Sequence, residues 1–267
     1  LVSLSPGALS DFPLRAEAIS VAVERRVILA PTQLALSRGR VTGIIGRNGS
    51  GKSTLLKCLA RQLTPSQGRV VLEERPAQDW SARAFARKLG YLPQQAPAAT
   101  GLTGDELVAF GRYPWRGALG RMGRHDREAV AEAMALADTT EFADRLVDRL
   151  SGGERQRVWI TMLIAQETDF LLLDEPIAAL DLAHQIEVLS LLRALSRRRD
   201  SGIVVVLHDI NMAARFCDDI VALRDGAIVA QGPPYAVLQP DLLETIFGVT
   251  MRLFTDDAAG VCAYVPA

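Results

Sequence analysis

The sequence predicts an α/β protein with an antiparallel β segment on its N-terminal side and a helical lobe inserted near its middle. Three observations carry that expectation. Residues 170–173 and 203–207 are apolar runs bounded by polar or glycine residues, the pattern of buried parallel strands. Between them, Leu182, Ile186, Leu189, Leu192 and Leu195 recur at helical spacing and predict a crossover helix. Strand, helix, strand in that order is the α/β arrangement.

The other elements follow along the chain. Residues 16–36 alternate apolar and polar side chains around the charged turn Glu24-Arg25-Arg26, which reads as an antiparallel hairpin. Residues 41–45 form a short apolar run that stops at Gly46, and 52–62 has a helical pattern. Residues 96–150 are rich in Ala, Gly and Arg and contain a helical stretch at 126–137, so they are read as the inserted lobe. The run Arg197-Arg198-Arg199-Asp200 is expected to be a solvated helix end. No internal repeat interrupts the pattern, and residues 1–267 are read as one domain carrying that lobe.

Composition narrows the function. The chain has 267 residues, 49% apolar and 23% charged, as an ordinary globular protein does. A net charge of −1 gives no basic surplus for nucleic acid, and no nucleic-acid partner is expected. Its uncharged apolar stretches are too short to span a bilayer, and no signal-peptide pattern opens it. Cys58, Cys217 and Cys262 form no paired framework and are expected to be reduced, partly buried thiols. His125, His184 and His208 lack metal-ligand spacing.

Three motifs carry chemistry. Gly46-Arg47-Asn48-Gly49-Ser50-Gly51-Lys52-Ser53 matches the phosphate-loop pattern, between an apolar strand and a helix. Its glycines let backbone N–H groups close around phosphate oxygens, and Lys52 adds a positive charge for the β- and γ-phosphates. Ser53 offers a hydroxyl to Mg²⁺, and Thr54 follows it at a helix start whose dipole favours an anion. Asp174 and Glu175 end the 170–173 strand. Asp174 would hold Mg²⁺ and Glu175 would act as general base on the attacking water. In Leu150-Ser151-Gly152-Gly153-Glu154-Arg155-Gln156-Arg157, the Ser151–Glu154 spacing is a capping box. The two glycines exceed what a cap needs and leave N–H groups open to a second anion.

With these motifs in this order, the sequence resembles the ATP-binding cassette (ABC) ATPases over nearly the whole chain. The resemblance implies a P-loop NTPase fold, ATP and Mg²⁺ as ligands, and a head-to-tail homodimer holding two ATPs. Ser151 and Gly153, with Gly152 between them, would face the γ-phosphate held by the partner's loop. By the same resemblance Gln94, in Tyr91-Leu92-Pro93-Gln94, would reach Mg²⁺ and the attacking water, with Gln95 as its rival. Asp181 would lie in the dimer-crossing loop, and His208 would contact the γ-phosphate. Two departures stand out. Val23 falls where the family places an adenine-stacking aromatic, and Ile177 follows Pro176 where a threonine is common.

Cargo is implied only by the finer resemblance. Gly111-Arg112-Tyr113-Pro114-Trp115-Arg116-Gly117-Ala118-Leu119-Gly120-Arg121 and Leu207-His208-Asp209-Ile210-Asn211-Met212-Ala213-Ala214-Arg215 are similar to stretches of the cassettes of bacterial ferric-siderophore importers, nearest the ferric hydroxamate type. That implies two copies under transmembrane permease subunits on the cytoplasmic face of the inner membrane, supplied by a periplasmic siderophore-binding protein. Vitamin B12 or haem import is the alternative, and a soluble non-transport cassette ATPase is a more distant one.

Overall fold

The computed structural model describes residues 12–24, 26–117, 120–256 and 261–266. Arg25 of the expected turn and Ala118 and Leu119 of the 111–121 stretch lie outside the described residues, as does the side chain of Cys262.

Strands β1 (Leu14–Val23) and β2 (Arg26–Leu36) pair antiparallel, from Leu14 opposite Leu36 to Val23 opposite Arg26. β3 (Val41–Gly46) leads into helix α1 (Lys52–Leu59). The helical pattern through 62 is cut short. Arg61 takes a left-handed φ of 57°, so the helix stops at Leu59. β4 (Gln67–Leu72) and β5 (Arg75–Pro76) complete a four-stranded sheet in the order β2-β1-β4-β5.

Helix α2 (Ala82–Ala86) precedes β6 (Leu89–Leu92). Helices α3 (Gly104–Phe110), α4 (Tyr113–Arg116) and α5 (Arg124–Leu136) then fill much of 96–150. α6 (Gly152–Ala165), β7 (Phe170–Leu173), α7 (Leu182–Arg199) and β8 (Gly202–Val206) give the expected strand-helix-strand unit. After β8 come α8 (Ile210–Phe216), β9 (Asp219–Arg224), β10 (Ala227–Gly232), α9 (Pro234–Val237) and α10 (Pro240–Phe247). A hairpin of β11 (Met251–Asp256) and β12 (Val261–Pro266) follows.

The second sheet runs β10-β9-β3-β8-β7-β6, with the β3, β8, β7, β6 and β9 pairings parallel and β10 antiparallel at its edge. Its central strands β3, β8 and β7 are buried on both faces, and their side chains alternate between two cores as the pleat requires. Val41, Ile45, Leu171, Leu173, Ile203 and Val205 face the core made with α5, α6, α7 and α8. Ile44, Leu172, Val204 and Val206 face the core made with α1 and the antiparallel sheet. This sandwiching sets the C-terminal ends of β3, β7 and β8 side by side, which is where open α/β sheets place ligands.

Three expectations are corrected. Leu182, expected on the apolar stripe of the crossover helix, is 64% exposed. Core packing of α7 begins about one turn later, with the partly buried Ile186, and Val188, Leu189, Leu192 and Leu195 are buried beyond it. The arginine run is not simply solvated either: Arg199 donates to the Ile164 carbonyl at 3.0 Å and to Glu132 at 2.8 Å. Cys58 and Cys217 are fully rather than partly buried, and both are free.

Candidate active site

The loop from Gly46 to Ser53 is shaped by backbone conformations that only glycine holds without strain. Gly46 has φ 145°, and a Cβ there would stand 2.2 Å from the Leu223 carbonyl oxygen. Gly51, the N-cap of α1, has φ 99° and supplies no side-chain cap, and no acidic residue sits in the first turn. No side chain caps the N-terminal amides of α1, and its first residues Lys52, Ser53 and Thr54 line a cleft, the setting that binds phosphate. The buried Ser50 hydroxyl has no hydrogen-bond partner among the described residues. Lys52 is buried, and its ammonium donates to the Gly46 and Arg47 carbonyls at 2.8 and 2.9 Å. Burial lowers its pKa, while Glu175 and Asp174 oppose that shift.

A cleft of about 340 Å³ is lined by Ile28, Asn48, Gly49, Gly51, Lys52, Ser53, Thr54, Gln94, Glu175 and His208. Residues from five separate parts of the sequence meet here. Gln94 Nε2 donates to Glu175 Oε2 at 2.8 Å, and His208 Nε2 lies 2.7 Å from Glu175 Oε1. Each carboxylate oxygen is therefore held, which fixes the direction in which Glu175 can take a proton. Glu175 is one of the non-glycine residues with positive φ, at 51°. Such strain costs about 1–3 kcal/mol and persists where the surroundings over-determine it. Gln95 does not line the cleft.

Behind Glu175, Asp174 is 1% exposed and accepts from the Ser53 hydroxyl at 3.0 Å. Burial raises its pKa, partly offset by the Ser53 hydrogen bond. One carboxylate and one hydroxyl, all oxygen, suit Mg²⁺, which takes one or two carboxylates plus substrate phosphates. Among the described residues no group of three or more His, Cys, Asp or Glu could form an all-protein cage.

Ser151, Gly152, Gly153 and Asp181 do not line this cleft. Ser151 forms the expected capping box: its hydroxyl accepts from Glu154 N at 3.3 Å, and Glu154 Oε2 accepts from Ser151 N at 2.7 Å. That backbone hydrogen bond also holds the Glu154 carboxyl below its ordinary pKa. A Cβ on Gly153 would stand 3.1 Å from Leu180, so this helix start backs onto the segment before Asp181. Asp181 Oδ1 caps α7 by accepting from His184 N at 3.0 Å, and that bond lowers its pKa. Ile177 is buried and takes part in the core, which holds the loop after Glu175 without a threonine hydroxyl.

Two site features differ from the sequence reading. Val23 is 55% exposed and does not line the cleft. Ile28 of β2 does, two residues before the Ala30 N–H bonds to Gly226 at 2.8 Å. Sequence reasoning missed Ile28 because its place depends on the register of β2 against its neighbours. A one-residue slip in that register would turn Ile28 away.

Comparison with known proteins agrees with this geometry. Residues 29–178 match the family model described as ABC transporter. The ferric enterobactin transport ATP-binding protein FepC of Escherichia coli (strain K12) is 42% identical over 253 residues, covering 95% of this chain and 93% of its own. The iron(3+)-hydroxamate import ATP-binding protein FhuC of Bacillus subtilis (strain 168) is 39% identical, covering 91% and 90%. A solved ABC transporter of assigned metal-chelate type, in an inward-facing conformation, superposes with TM-score 0.82 at 26% identity, covering 96% and 97%. The dimeric bacterial ABC transporter cassette MJ0796 superposes with TM-score 0.74 at 28% identity, covering 83% and 98%. The phosphate loop, the strand-end carboxylates and the match over 29–178 together place this chain in the ABC transporter family, as an ATP-binding protein that couples ATP hydrolysis to transport.

Proposed function

We propose that this chain is the motor subunit of a bacterial importer that takes up an iron(III)-siderophore, with a ferric hydroxamate as the first cargo to test. The observation that carries the cargo is similarity over nearly the whole chain to ATP-binding proteins of ferric enterobactin and iron(3+)-hydroxamate systems. In this reading residues 1–267 are one cassette domain, and 96–150 form a helical lobe within it.

Gly46, Asn48, Gly49, Ser50, Gly51, Lys52, Ser53 and Thr54 cradle the phosphates. Ser53, Asp174 and Gln94 hold Mg²⁺, which neutralises phosphate charge when bound. Glu175 takes the proton of the attacking water, directed by its contacts to Gln94 and His208. Ser151, Gly152, Gly153 and Asp181 lie away from their own cleft, which supports their serving the cleft of a second copy in a head-to-tail dimer. A groove of about 860 Å³ with Phe85, Tyr91, Pro93 and Met162 in its lining fits a short apolar helix from a permease subunit. No helix among the described residues is long and apolar enough to cross a membrane. The chain would sit peripherally on the cytoplasmic face of the inner membrane, with a periplasmic siderophore-binding protein acting on the permease from outside.

The test is uptake of radiolabelled ferrichrome in a strain lacking this gene and any substitute cassette. Uptake should be lost, and restored by the wild-type chain but not by Glu175→Gln. Undiminished uptake in the deletion strain would overturn the cargo; haem in the same assay measures the rival.

A further inference from the structure

The side chain of Asn211 ties the helix after His208 to the C-terminal hairpin. Leu207 N donates to the Ile44 carbonyl at 3.1 Å, anchoring the end of β8, and His208 then lies on the short link before α8. α8 has seven residues. A helix that short is marginal alone, so the direction of its first turn depends on tertiary contacts. Asp209 Oδ1 caps it by accepting from Asn211 N at 2.7 Å and Met212 N at 3.0 Å.

With its amide satisfied there, Asn211 turns its side chain to Tyr264. Asn211 Nδ2 donates to the Tyr264 carbonyl at 3.3 Å, and Asn211 Oδ1 accepts from Tyr264 N at 2.8 Å. A carboxamide that engages both backbone groups of one residue acts as a neighbouring strand edge would. It fixes orientation as well as distance, because donor and acceptor must both align. The two residues are 53 apart in sequence. Tyr264 is 8% exposed and belongs to the core shared with Leu207 and Met212. The clamp therefore joins a packed part of the hairpin to the helix that begins two residues after His208.

We propose that the β11–β12 hairpin, acting through Asn211, is a positioning device that holds the first turn of α8 and so sets where His208 stands against Glu175. Asn211 is a positioning residue: its side chain bonds to the Tyr264 backbone and does not line the cleft that holds Glu175 and the phosphate loop. The inference rests on reading His208 as a working group of the ATPase site.

The experiment compares full-length wild type, Asn211→Ala and His208→Ala in steady-state ATPase assays. Turnover is counted per ATP-binding chain, with binding measured separately on a fluorescent ATP analogue. Asn211→Ala should lower kcat by between about ten-fold and a hundred-fold, the scale of a displacement of about 1 Å near the chemistry. KM for ATP should stay within about two-fold. A merely structural role would reduce the fraction of chains that bind and leave kcat per binding chain unchanged, and that result would overturn the clamp. Inactive His208→Ala beside fully active Asn211→Ala would sink the clamp alone. Full turnover by His208→Ala would sink the reading of His208, and the clamp with it.

Discussion

At the scale of single residues, the chemistry turns on a carboxylate with both oxygens engaged. Glu175 sits in a left-handed backbone conformation between Gln94 and His208. Replacing it with glutamine keeps size and shape but removes the basic oxygen pair. Glu175→Gln should bind ATP as the wild type does and lose at least about a hundred-fold in turnover, the usual scale of general-base catalysis. Paired binding and hydrolysis assays check this, and near-normal hydrolysis would remove Glu175 from the base role. Cys217 gives a pH prediction. Burial pushes its thiol up to about 12, with Asp218 adding to the shift. The unfolded thiol ionises near its ordinary value and the folded one does not, so the folded pKa is the raised one. The stability this contributes is complete below pH about 9 and is lost as pH rises toward 12. Loss should approach about 1.4 kcal/mol per pH unit within that window. Urea midpoints measured from pH 8 to 11 should fall more steeply in the wild type than in Cys217→Ala.

At the scale of elements, the crossover helix separates pattern from packing. Its periodic leucines were legible in the sequence, but periodicity does not say where a helix meets the sheet. Leu182 precedes the contact and is exposed, whereas Leu189 is buried in the core. Leu189→Ala should cost about 2–5 kcal/mol, since it leaves a cavity among packed neighbours. Leu182→Gln should stay within about 0.5 kcal/mol. Denaturant unfolding of the two variants decides this, and equal costs would show that the stripe begins where the pattern does. The start of α6 is a second case. The Ser151–Glu154 capping box was readable from spacing alone, and its reciprocal hydrogen bonds form. Its capping function accounts for Ser151 and Glu154 within one chain and leaves Gly152 exposed.

At the scale of the whole molecule, the cleft takes residues from β2, the phosphate loop, and the segments after β6, β7 and β8. Ser151 and Asp181 lie elsewhere on the same chain. If a second copy supplies them, nucleotide should drive association. Glu175→Gln with ATP and Mg²⁺ is expected to sediment as a dimer, and as a monomer without nucleotide. A single species under both conditions would count against the two-copy site.

The sequence by itself determined the fold class, the strand-loop-helix around Lys52 and the acidic strand end at Asp174 and Glu175, because each depends on local spacing and hydrophobic period. It also named Gln94 and His208, but only through resemblance, since neither has a local signal beyond its place after an apolar run. Tertiary structure alone decided that both reach Glu175, that Gln95 does not line the cleft, and that Ile28 lines it in place of Val23. It alone joined Asn211 to Tyr264. The reason is geometric: parallel pairing of β6, β7 and β8 brings strand ends separated by dozens of residues into register, and no spacing rule along one chain encodes that alignment.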